Sequence, residues 1–347
     1  KPFNEIKKKI DFNLTEDQLF ALQQINSDLR SNQKMFRLLQ GDVGCGKTIV
    51  SLISSLNVIS SGFQVGFMAP TAILAKQHYD LAKKLFDKNI NIDLLTSKTE
   101  YTDRKKILKD LSNSKIDILF GTHSLFQEKI KYKNLGLIVI DEQHKFGVKQ
   151  RKKLSDKGGS NCDVLVMSAT PIPRTMIMTI FGDMDTSIIK NKPKYRKEIK
   201  TYSKLENKID EIILFLKKKI KTGNQVFWVC PLIEESKKVD HQSSVKRYEY
   251  LREIFGNKIG LLHGSLSKDL KENILSKFLN KEIDILVSTT VIEVGIDFPN
   301  ANIIIIENAN KFGLSQLHQL RGRVGRGIKE SYCILMLKSN LSQNAKK

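Results

Sequence analysis

One glycine-rich run in the sequence is typical of phosphate binding. Residues 41–48 read Gly-Asp-Val-Gly-Cys-Gly-Lys-Thr, which fits the pattern G-x-x-x-x-G-K-[S/T], and they lie between an apolar run at 35–39 and a helical run at 49–59. Glycines let the backbone wrap so that N–H groups at a helix N-terminus face a phosphate. We therefore expect Lys47 to contact the β- and γ-phosphates of a nucleotide and the Thr48 hydroxyl to bind Mg²⁺.

An apolar run further along the chain ends in two adjacent carboxylates. Residues 137–140 read Leu-Ile-Val-Ile, and Asp141 and Glu142 follow directly. Two like charges at the buried end of a strand are costly unless a cation offsets them. Strands often end in Asp, so the pair indicates a cation site only in combination with the glycine-rich run. We expect Asp141 to hold Mg²⁺ and Glu142 to orient and deprotonate an attacking water.

Arginine is concentrated in one short run near the end of the sequence. Residues 321–327 read Arg-Gly-Arg-Val-Gly-Arg-Gly and hold three of the chain's 11 arginines, although lysine is used almost everywhere else. A guanidinium keeps its charge and grips phosphate through two hydrogen bonds, which suits neutralisation of γ-phosphate charge during hydrolysis. We expect Arg323 and Arg326 to do this; the alternative is a basic surface loop that contacts nucleic acid.

Short apolar runs separated by helix-length polar segments predict the scaffold that positions these residues. This pattern is typical of parallel sheets covered by helices on both faces. Five runs come before residue 190 and five after it: 35–39, 65–69, 116–120, 135–140 and 163–167, then 226–230, 259–262, 283–287, 302–306 and 331–336. The grouping predicts two α/β lobes, residues 1–192 and 193–347, joined in a polar, basic stretch that contains proline.

The two groups of strands resemble each other. Residues 115–119 read Lys-Ile-Asp-Ile-Leu and precede Thr122, while residues 282–286 read Glu-Ile-Asp-Ile-Leu and precede Thr289. In each lobe the next apolar strand ends in an acidic residue. The pattern indicates a duplicated fold in which only the first copy carries the phosphate-binding run.

The chain is strongly basic. Lys and Arg number 58 and Asp and Glu 37, which gives a net charge of +21. A spread excess favours a polyanionic partner, nucleic acid or an anionic membrane; the alternative is a lysine-rich background of solvated side chains. No apolar stretch reaches the ~18–20 residues that cross a bilayer. The four cysteines are isolated from one another. We expect a cytoplasmic protein with no membrane partner, no zinc site and no disulfide framework.

The motifs form an ordered set, and in that order the sequence resembles the superfamily 2 helicases over essentially all 347 residues. The matching motifs are Gly41–Thr48 (I), 69–71 Ala-Pro-Thr (Ia), 121–123 Gly-Thr-His, 141–144 Asp-Glu-Gln-His (II), 168–170 Ser-Ala-Thr (III), 288–297 (V) and 319–326 (VI). The runs at 146–151, 230–236 and 312–321 resemble the branch of that superfamily that moves on branched DNA. Translocases that couple transcription to repair share several of these runs.

The resemblance implies two tandem RecA-like lobes, each a mostly parallel sheet covered by helices, with one ATP and Mg²⁺ between them. It also implies roles for individual residues. Gln18 would recognise adenine and Phe12 would stack on it. The nucleotide site would also include Gly44, Cys45, Gly46, Gly295 and Asp297. Ser168 and Thr170 would link the state of the nucleotide to lobe closure. The DNA backbone would be contacted by Pro70, Thr71, Thr122, His123, Thr289 and Thr290.

Several of these residues could instead have a purely structural role. Gln18 is equally an ordinary helix residue, His123 a structural histidine, and Ser168 and Thr170 turn or capping residues.

The function that the resemblance implies is an ATP-dependent DNA translocase or helicase, monomeric, acting on branched DNA in recombination and repair. Proteins of that branch carry a wedge domain before the motor and a helical hairpin after it, and we expect both to be missing from this chain. Two alternatives remain open. One is a duplex translocase of the transcription-repair type, and the other is an ATP-gated nucleic-acid clamp that does not move.

Overall fold

The computed structural model describes residues 6, 9, 10, 12–127, 130–141, 162–169, 184–191, 198–231, 237–289, 296, 298–325 and 329–338. The chain divides into two compact units, Lys1–Lys194 and Tyr195–Lys347. We refer to these units as the first lobe and the second lobe.

The first lobe is built on a sheet of seven described strands whose pairings are all parallel. The strands are β1 (Phe36–Gly41), β2 (Gln64–Met68), β3 (Ile92–Leu95), β4 (Ile118–Gly121), β5 (Leu135–Asp141), β6 (Asp163–Ser168) and β7 (Asp185–Ile189). They lie in the order β3-β4-β2-β5-β6-β1-β7. The helices are α1 (Glu16–Leu29), α2 (Lys47–Ser60), α3 (Ala72–Leu85) and α4 (Tyr101–Ser112), and a 3₁₀ turn spans His123–Phe126.

The second lobe repeats this architecture with six described strands, again all parallel. The strands are β8 (Ile199–Leu205), β9 (Gln225–Cys230), β10 (Ile259–Leu262), β11 (Ile285–Thr289), β12 (Ala301–Ile306) and β13 (Ser331–Leu337). Their order is β10-β11-β9-β12-β13-β8. The helices are α5 (Ile209–Lys221), α6 (Lys237–Phe255), α7 (Lys268–Leu279) and α8 (Leu314–Arg321), with 3₁₀ turns at Glu206–Lys208 and Ala309–Lys311.

The central strands are buried on both faces, as a parallel sheet between two helical layers requires. Every residue of β2, β4, β9, β11 and β12 is buried. In the first lobe Phe67 and Phe120 stack with ring centroids 5.0 Å apart, and Leu52 and Ile53 of α2 belong to the same core. The apolar runs of the sequence thus form the sheet interior, and their polar ends are left at the sheet edges, where chemistry is possible.

A buried glutamine begins the central strand β2 and ties three segments to it. The Gln64 amide nitrogen Nε2 donates to the carbonyl oxygens of Leu111 and Ile116, at 2.9 and 2.8 Å. Its Oε1 accepts from the backbone N–H groups of Lys133 and Asn134, at 2.9 and 3.0 Å. All four hydrogen-bonding positions of the side chain are therefore used. This glutamine fixes how the strands β4 and β5 enter the sheet.

The second lobe has the same device at the matching place. Gln225 begins β9, and its Nε2 donates to the carbonyl oxygens of Phe278 and Ile283, each at 2.6 Å. Those carbonyls correspond in position to the two that Gln64 holds, because 282–286 is the sequence repeat of 115–119. The internal resemblance of the sequence is therefore matched by a shared structural anchor.

The predicted fold class is confirmed: each lobe is a parallel α/β sheet of RecA type. All ten predicted apolar runs coincide with strands. Three further strands, β3, β7 and β8, were not predicted, and each of them lies at an edge of its sheet. Within the described part of the chain, no helix is long and apolar enough to cross a membrane.

Candidate functional site

The carboxyl ends of five neighbouring strands in the first lobe carry the residues that the motifs single out. In the sheet order β4-β2-β5-β6-β1 these ends lead to Thr122, Thr71, Asp141, Ser168 and the loop that starts at Gly41. Neighbouring strands lie about 4.8 Å apart, so the five ends span about 20 Å along one edge. The phosphate-binding loop therefore shares an edge with the residues expected to contact a polynucleotide, and Asp141 lies between them.

The loop after β1 has the backbone geometry that phosphate binding needs. Gly44 and Gly46 have φ angles of 75° and 92°, in the left-handed region that glycine adopts without steric cost. A Cβ on Gly41 would lie 2.5 Å from Cys45 Sγ and 2.7 Å from the carbonyl oxygen of Ile189. Gly46 is the N-cap of α2 and has no side chain to cap it. The first N–H groups of α2 are thus left for an anion.

Lys47 places a cation at this loop. Its side chain is buried, and Nζ donates to the carbonyl oxygens of Gly41 and Asp42, at 2.6 and 3.1 Å. Thr48 follows in the first turn of α2 and is half-buried. Cys45 is fully buried, and burial raises the pKa of its thiol above the usual value. A thiol in such a place packs and does not react.

Gln18 of α1 lies against the loop in a way the sequence did not indicate. Its Nε2 donates to the carbonyl oxygen of Cys45 at 2.7 Å, and its Oε1 accepts from the backbone N–H of Thr15 at 2.9 Å. A Cβ on Gly46 would overlap Nε2. The amide therefore supports the phosphate-binding loop directly, and the bonds it makes with described residues leave one further hydrogen-bonding position on each of its two polar atoms.

Asp141 ends β5 as a buried carboxylate with a histidine partner. Its Oδ2 accepts a hydrogen bond from Nε2 of His78, at 2.8 Å. His78 lies on α3, is itself buried, and packs on Phe67 with ring centroids 5.0 Å apart. His78 was not among the site residues predicted from the sequence. The available signal was its helical spacing from the buried residues Ala72 and Ala75, which places it on the inner face of α3.

The residues expected to contact DNA differ in their exposure. Thr71 caps α3, its side-chain oxygen accepting from the N–H of Leu74 at 3.2 Å, and like Thr122 it is half-buried. His123 is exposed at the start of the 3₁₀ turn. Thr289, at the end of β11 in the second lobe, is only 5% exposed. In the first lobe these side chains are reachable at the sheet edge, whereas Thr289 offers little surface.

The remaining predicted site residues are placed as follows. Pro70 is half-buried after β2, Phe12 is half-buried before α1, and Ser168 is fully buried at the end of β6. Arg323 follows α8 and is 7% exposed. Six others lie outside the described residues: Glu142, Thr170, Thr290, Gly295, Asp297 and Arg326.

The second lobe also ends a central strand in a carboxylate, but it supplies the cation itself. Glu307 follows β12, the counterpart of β5, and its Oε1 accepts hydrogen bonds from Arg247 Nε and Trp228 Nε1. The Arg247 guanidinium lies over the Trp228 ring, 5.4 Å from its centroid. An arginine in contact with the carboxylate offsets its charge. The two strand ends therefore differ in kind, which favours a bound cation at Asp141 only.

The residues at Asp141 fit a magnesium ion that is shared with a phosphate. Mg²⁺ is usually held by one or two carboxylates together with phosphate oxygens and waters, not by a complete protein cage. Among the described residues no group of three or more His, Cys, Asp or Glu side chains could hold a metal ion by itself. A single buried carboxylate on the same edge as a phosphate-binding loop is the arrangement that this mode of binding requires.

Comparison with known proteins agrees with this geometry. The DEAD/DEAH box helicase model matches residues 15–179, and the helicase conserved C-terminal domain model matches residues 204–327. A structure of Mss116p bound to single-stranded RNA and AMP-PNP covers 98% of the chain with a TM-score of 0.68 at 20% identity, and the chain covers 72% of it. At that identity the likeness concerns the fold alone. Fold and site together define the two-lobed core of a superfamily 2 helicase.

The helicase that the chain resembles is RecG. It is 49% identical to the ATP-dependent DNA helicase RecG of Thermotoga maritima over 336 residues and 49% identical to that of Bacillus subtilis over 332 residues. These matches cover 96% and 95% of this chain but 43% and 48% of the relatives. A structure of RecG bound to a three-way DNA junction covers 99% of the chain with a TM-score of 0.85 at 44% identity, and the chain covers 45% of it. The chain thus spans less than half the length of these relatives.

Proposed function

We propose that the chain is the motor of an ATP-dependent DNA translocase of RecG type, which acts on branched DNA such as stalled forks and Holliday junctions in recombination and repair. One observation carries the proposal. The loop at 41–48, Asp141, Thr71 and Thr122 lie along the same edge of one sheet, and the last two are the residues expected to contact the polynucleotide. Hydrolysis at one part of this edge can then alter the grip on DNA at the other.

The nucleotide part of the edge has a separate task for each side chain. The first N–H groups of α2 and the Lys47 ammonium would hold the phosphates. Thr48 and Asp141 would hold Mg²⁺, which when bound neutralises charge on the phosphate oxygens. Glu142 would orient the attacking water and take its proton. Gln18, already against the loop, would use its remaining hydrogen-bonding positions on adenine, with Phe12 stacked on the base.

Four further sets of residues complete the proposal. Arg323 and Arg326 would stabilise charge on the γ-phosphate, and Gly295 and Asp297 would contact the ribose or sense the γ-phosphate. Ser168 and Thr170 would respond to the state of the nucleotide. The DNA backbone would be contacted by Pro70, Thr71, Thr122, His123, Thr289 and Thr290. Hydroxyl and amide groups of this kind bind phosphates without reading bases, which suits a motor that must move along any sequence.

The test uses the natural full-length protein. ATP hydrolysis is measured while forked, duplex and single-stranded DNA are titrated, and forked DNA is expected to stimulate most strongly. Lys47→Ala and Asp141→Ala should each abolish the stimulated rate, whereas Lys105→Ala, which removes an exposed lysine of α4, should leave it unchanged. Undiminished hydrolysis by either site variant would disprove the site assignment, and a rate indifferent to all three DNAs would disprove the motor.

Two alternative functions are separated by further assays on the same protein. Displacement of a third strand from a DNA triplex requires movement, so a clamp that merely closes on ATP would leave the triplex intact. Stable binding to RNA polymerase would instead favour a translocase of the transcription-repair type. The proposal expects triplex displacement without polymerase binding.

A further inference from the structure

Helix α3 connects the two parts of the sheet edge, and one of its side chains reaches the nucleotide part. The helix starts after Thr71, whose side chain caps it, and it follows β2 in the chain. His78 comes seven residues after Thr71, about 10 Å further along the helix axis at 1.5 Å per residue. There its Nε2 lies 2.8 Å from Oδ2 of Asp141, a residue 63 positions away in the sequence.

The contact is built into the core. The side chains of His78 and Asp141 are 7% and 9% exposed. The imidazole is held from one side by Phe67 of β2, which in turn stacks on Phe120 of β4. Because packing sets the plane of the ring, the direction of its Nε2 is set as well. A carboxylate bound at one oxygen by a donor of fixed direction loses the freedom to rotate about its Cβ–Cγ bond.

The chemical consequence concerns the other oxygen of Asp141. Carboxylates that bind metal ions are themselves held by hydrogen bonds from neighbouring groups, and loss of such a group commonly weakens metal affinity by about 10- to 100-fold. With Oδ2 committed to His78, Oδ1 is the atom of Asp141 available to a cation. The geometry does not require His78 to touch the cation or the nucleotide.

We propose that His78 is a positioning residue that orients the Asp141 carboxylate for the Mg²⁺ of the bound nucleotide, and that it thereby ties this site to helix α3 and to its polynucleotide-facing end at Thr71. The inference rests on the proposed role of Asp141 as the metal ligand. It adds a residue that none of the helicase motifs in the sequence contains.

The test measures Mg²⁺ dependence of nucleotide binding in the full-length protein without DNA. A fluorescent ATP analogue that resists hydrolysis is bound at increasing Mg²⁺, and the half-saturating Mg²⁺ concentration is read. His78→Leu keeps the apolar packing and removes the donor, so this concentration should rise by about tenfold or more. His78→Gln places an amide N–H near the original Nε2, so it should remain within about threefold of wild type. Tyr79→Phe, the next residue on α3, should change nothing.

Several controls separate a positioning role from a structural one. Affinity for the analogue in EDTA should be equal in all variants, because the contact acts on the metal and not on the loop. Should His78→Leu unfold at the assay temperature, His78→Asn replaces it, since its amide is too short to reach Oδ2; its half-saturating Mg²⁺ concentration should also rise by about tenfold or more.

The outcomes are distinguishable. Wild-type Mg²⁺ dependence in the donor-free variant, or equal defects in His78→Gln and His78→Leu, overturns the inference while leaving the proposed function standing. Asp141→Asn should abolish the Mg²⁺ effect altogether. If Asp141→Asn binds the analogue with unchanged Mg²⁺ dependence, then the assignment of Asp141 fails first, and the proposed site fails with it.

Discussion

Substitution of Gly46 by alanine probes the phosphate-binding loop in two separable ways. The residue has a φ of 92°, and a side chain in that left-handed region costs about 1–2 kcal/mol. Its new Cβ would also overlap Gln18 Nε2 and displace the hydrogen bond to the Cys45 carbonyl, a further loss of about 0.5–1.5 kcal/mol. The sum is about 1.5–3.5 kcal/mol. If the whole of this cost falls on the loop conformation that binds nucleotide, nucleotide affinity weakens by about 10- to 400-fold.

The chain offers a matched control for the backbone strain. Gly62 follows α2 with a φ of 85°, and a Cβ there meets nothing within 4 Å. Gly62→Ala should therefore lower the free energy of unfolding by about 1–2 kcal/mol without changing nucleotide affinity. Affinity is measured with a fluorescent nucleotide. Unfolding is followed by circular dichroism, which reports both lobes, and by the fluorescence of the single tryptophan of this sequence, Trp228, which reports the second lobe; the change specific to circular dichroism belongs to the first lobe.

A double substitution tests the contact with Gln18. In a Gln18→Ala background the overlap is gone, so Gly46→Ala should cost only its backbone strain, about 1 kcal/mol less than in the native background. Strictly additive effects of the two substitutions would refute the proposed contact between α1 and the loop. So would a Gly46→Ala protein that binds nucleotide as tightly as the Gly62→Ala protein does.

Two stability predictions address the rest of the fold. Gln64→Leu removes four hydrogen bonds and should lower the free energy of unfolding of the first lobe, measured in urea, by about 2–6 kcal/mol. Gln225→Leu removes the two hydrogen bonds that Gln225 donates, so its effect should be roughly half as large. Equal losses of free energy in the two variants would argue against this count of hydrogen bonds. In the second lobe, hydrogen bonds from Lys200 and from Tyr332 lower the pKa of Glu330 from 4.5 to about 2. A lowered pKa stabilises the folded state above the unfolded value, and this contribution disappears as the pH falls from about 4.5 towards 2. Glu330→Gln should flatten that part of the acid unfolding curve recorded by Trp228 fluorescence, and an unchanged curve would contradict it.

Strands in the sheet interior were predictable from the sequence, whereas three of the four strands at the sheet edges, β3, β7 and β8, were not. A central strand needs apolar residues on both faces, and this produces a continuous run such as 302–306. The edge strand β8 reads Ile-Lys-Thr-Tyr-Ser-Lys-Leu and contains no buried residue, and β13 is its one partner among the described strands. Its place depends on backbone hydrogen bonds, which every sequence can make. Hydrophobic patterning therefore carries no signal for it.

The site shows the same division between what is local and what is not. The residues 41–48 are contiguous, so their spacing alone predicted a loop followed by a helix N-terminus. The contacts of Gln18 with Cys45 and of His78 with Asp141 join positions 27 and 63 residues apart. Helical periodicity indicates that His78 faces inward, but it does not say which strand end it meets. That information lies in the strand order β2-β5, which only the folded sheet provides.

The ion pair at Glu307 makes the two lobes differ in how their stability depends on bound cations. Arg247 is part of the chain, so the strand-end charge of the second lobe is offset whatever the solution contains. If Asp141 holds Mg²⁺ as proposed, its matching cation comes from outside, and any species that binds only the folded state adds to the stability of that state. We therefore expect the thermal stability of the first lobe to rise with the concentrations of magnesium and nucleotide, whereas the charge of Glu307 is offset at any concentration of either. Two similar lobes thus differ in one respect: the strand-end carboxylate of the second is neutralised by the chain itself, and that of the first is expected to be neutralised by a ligand.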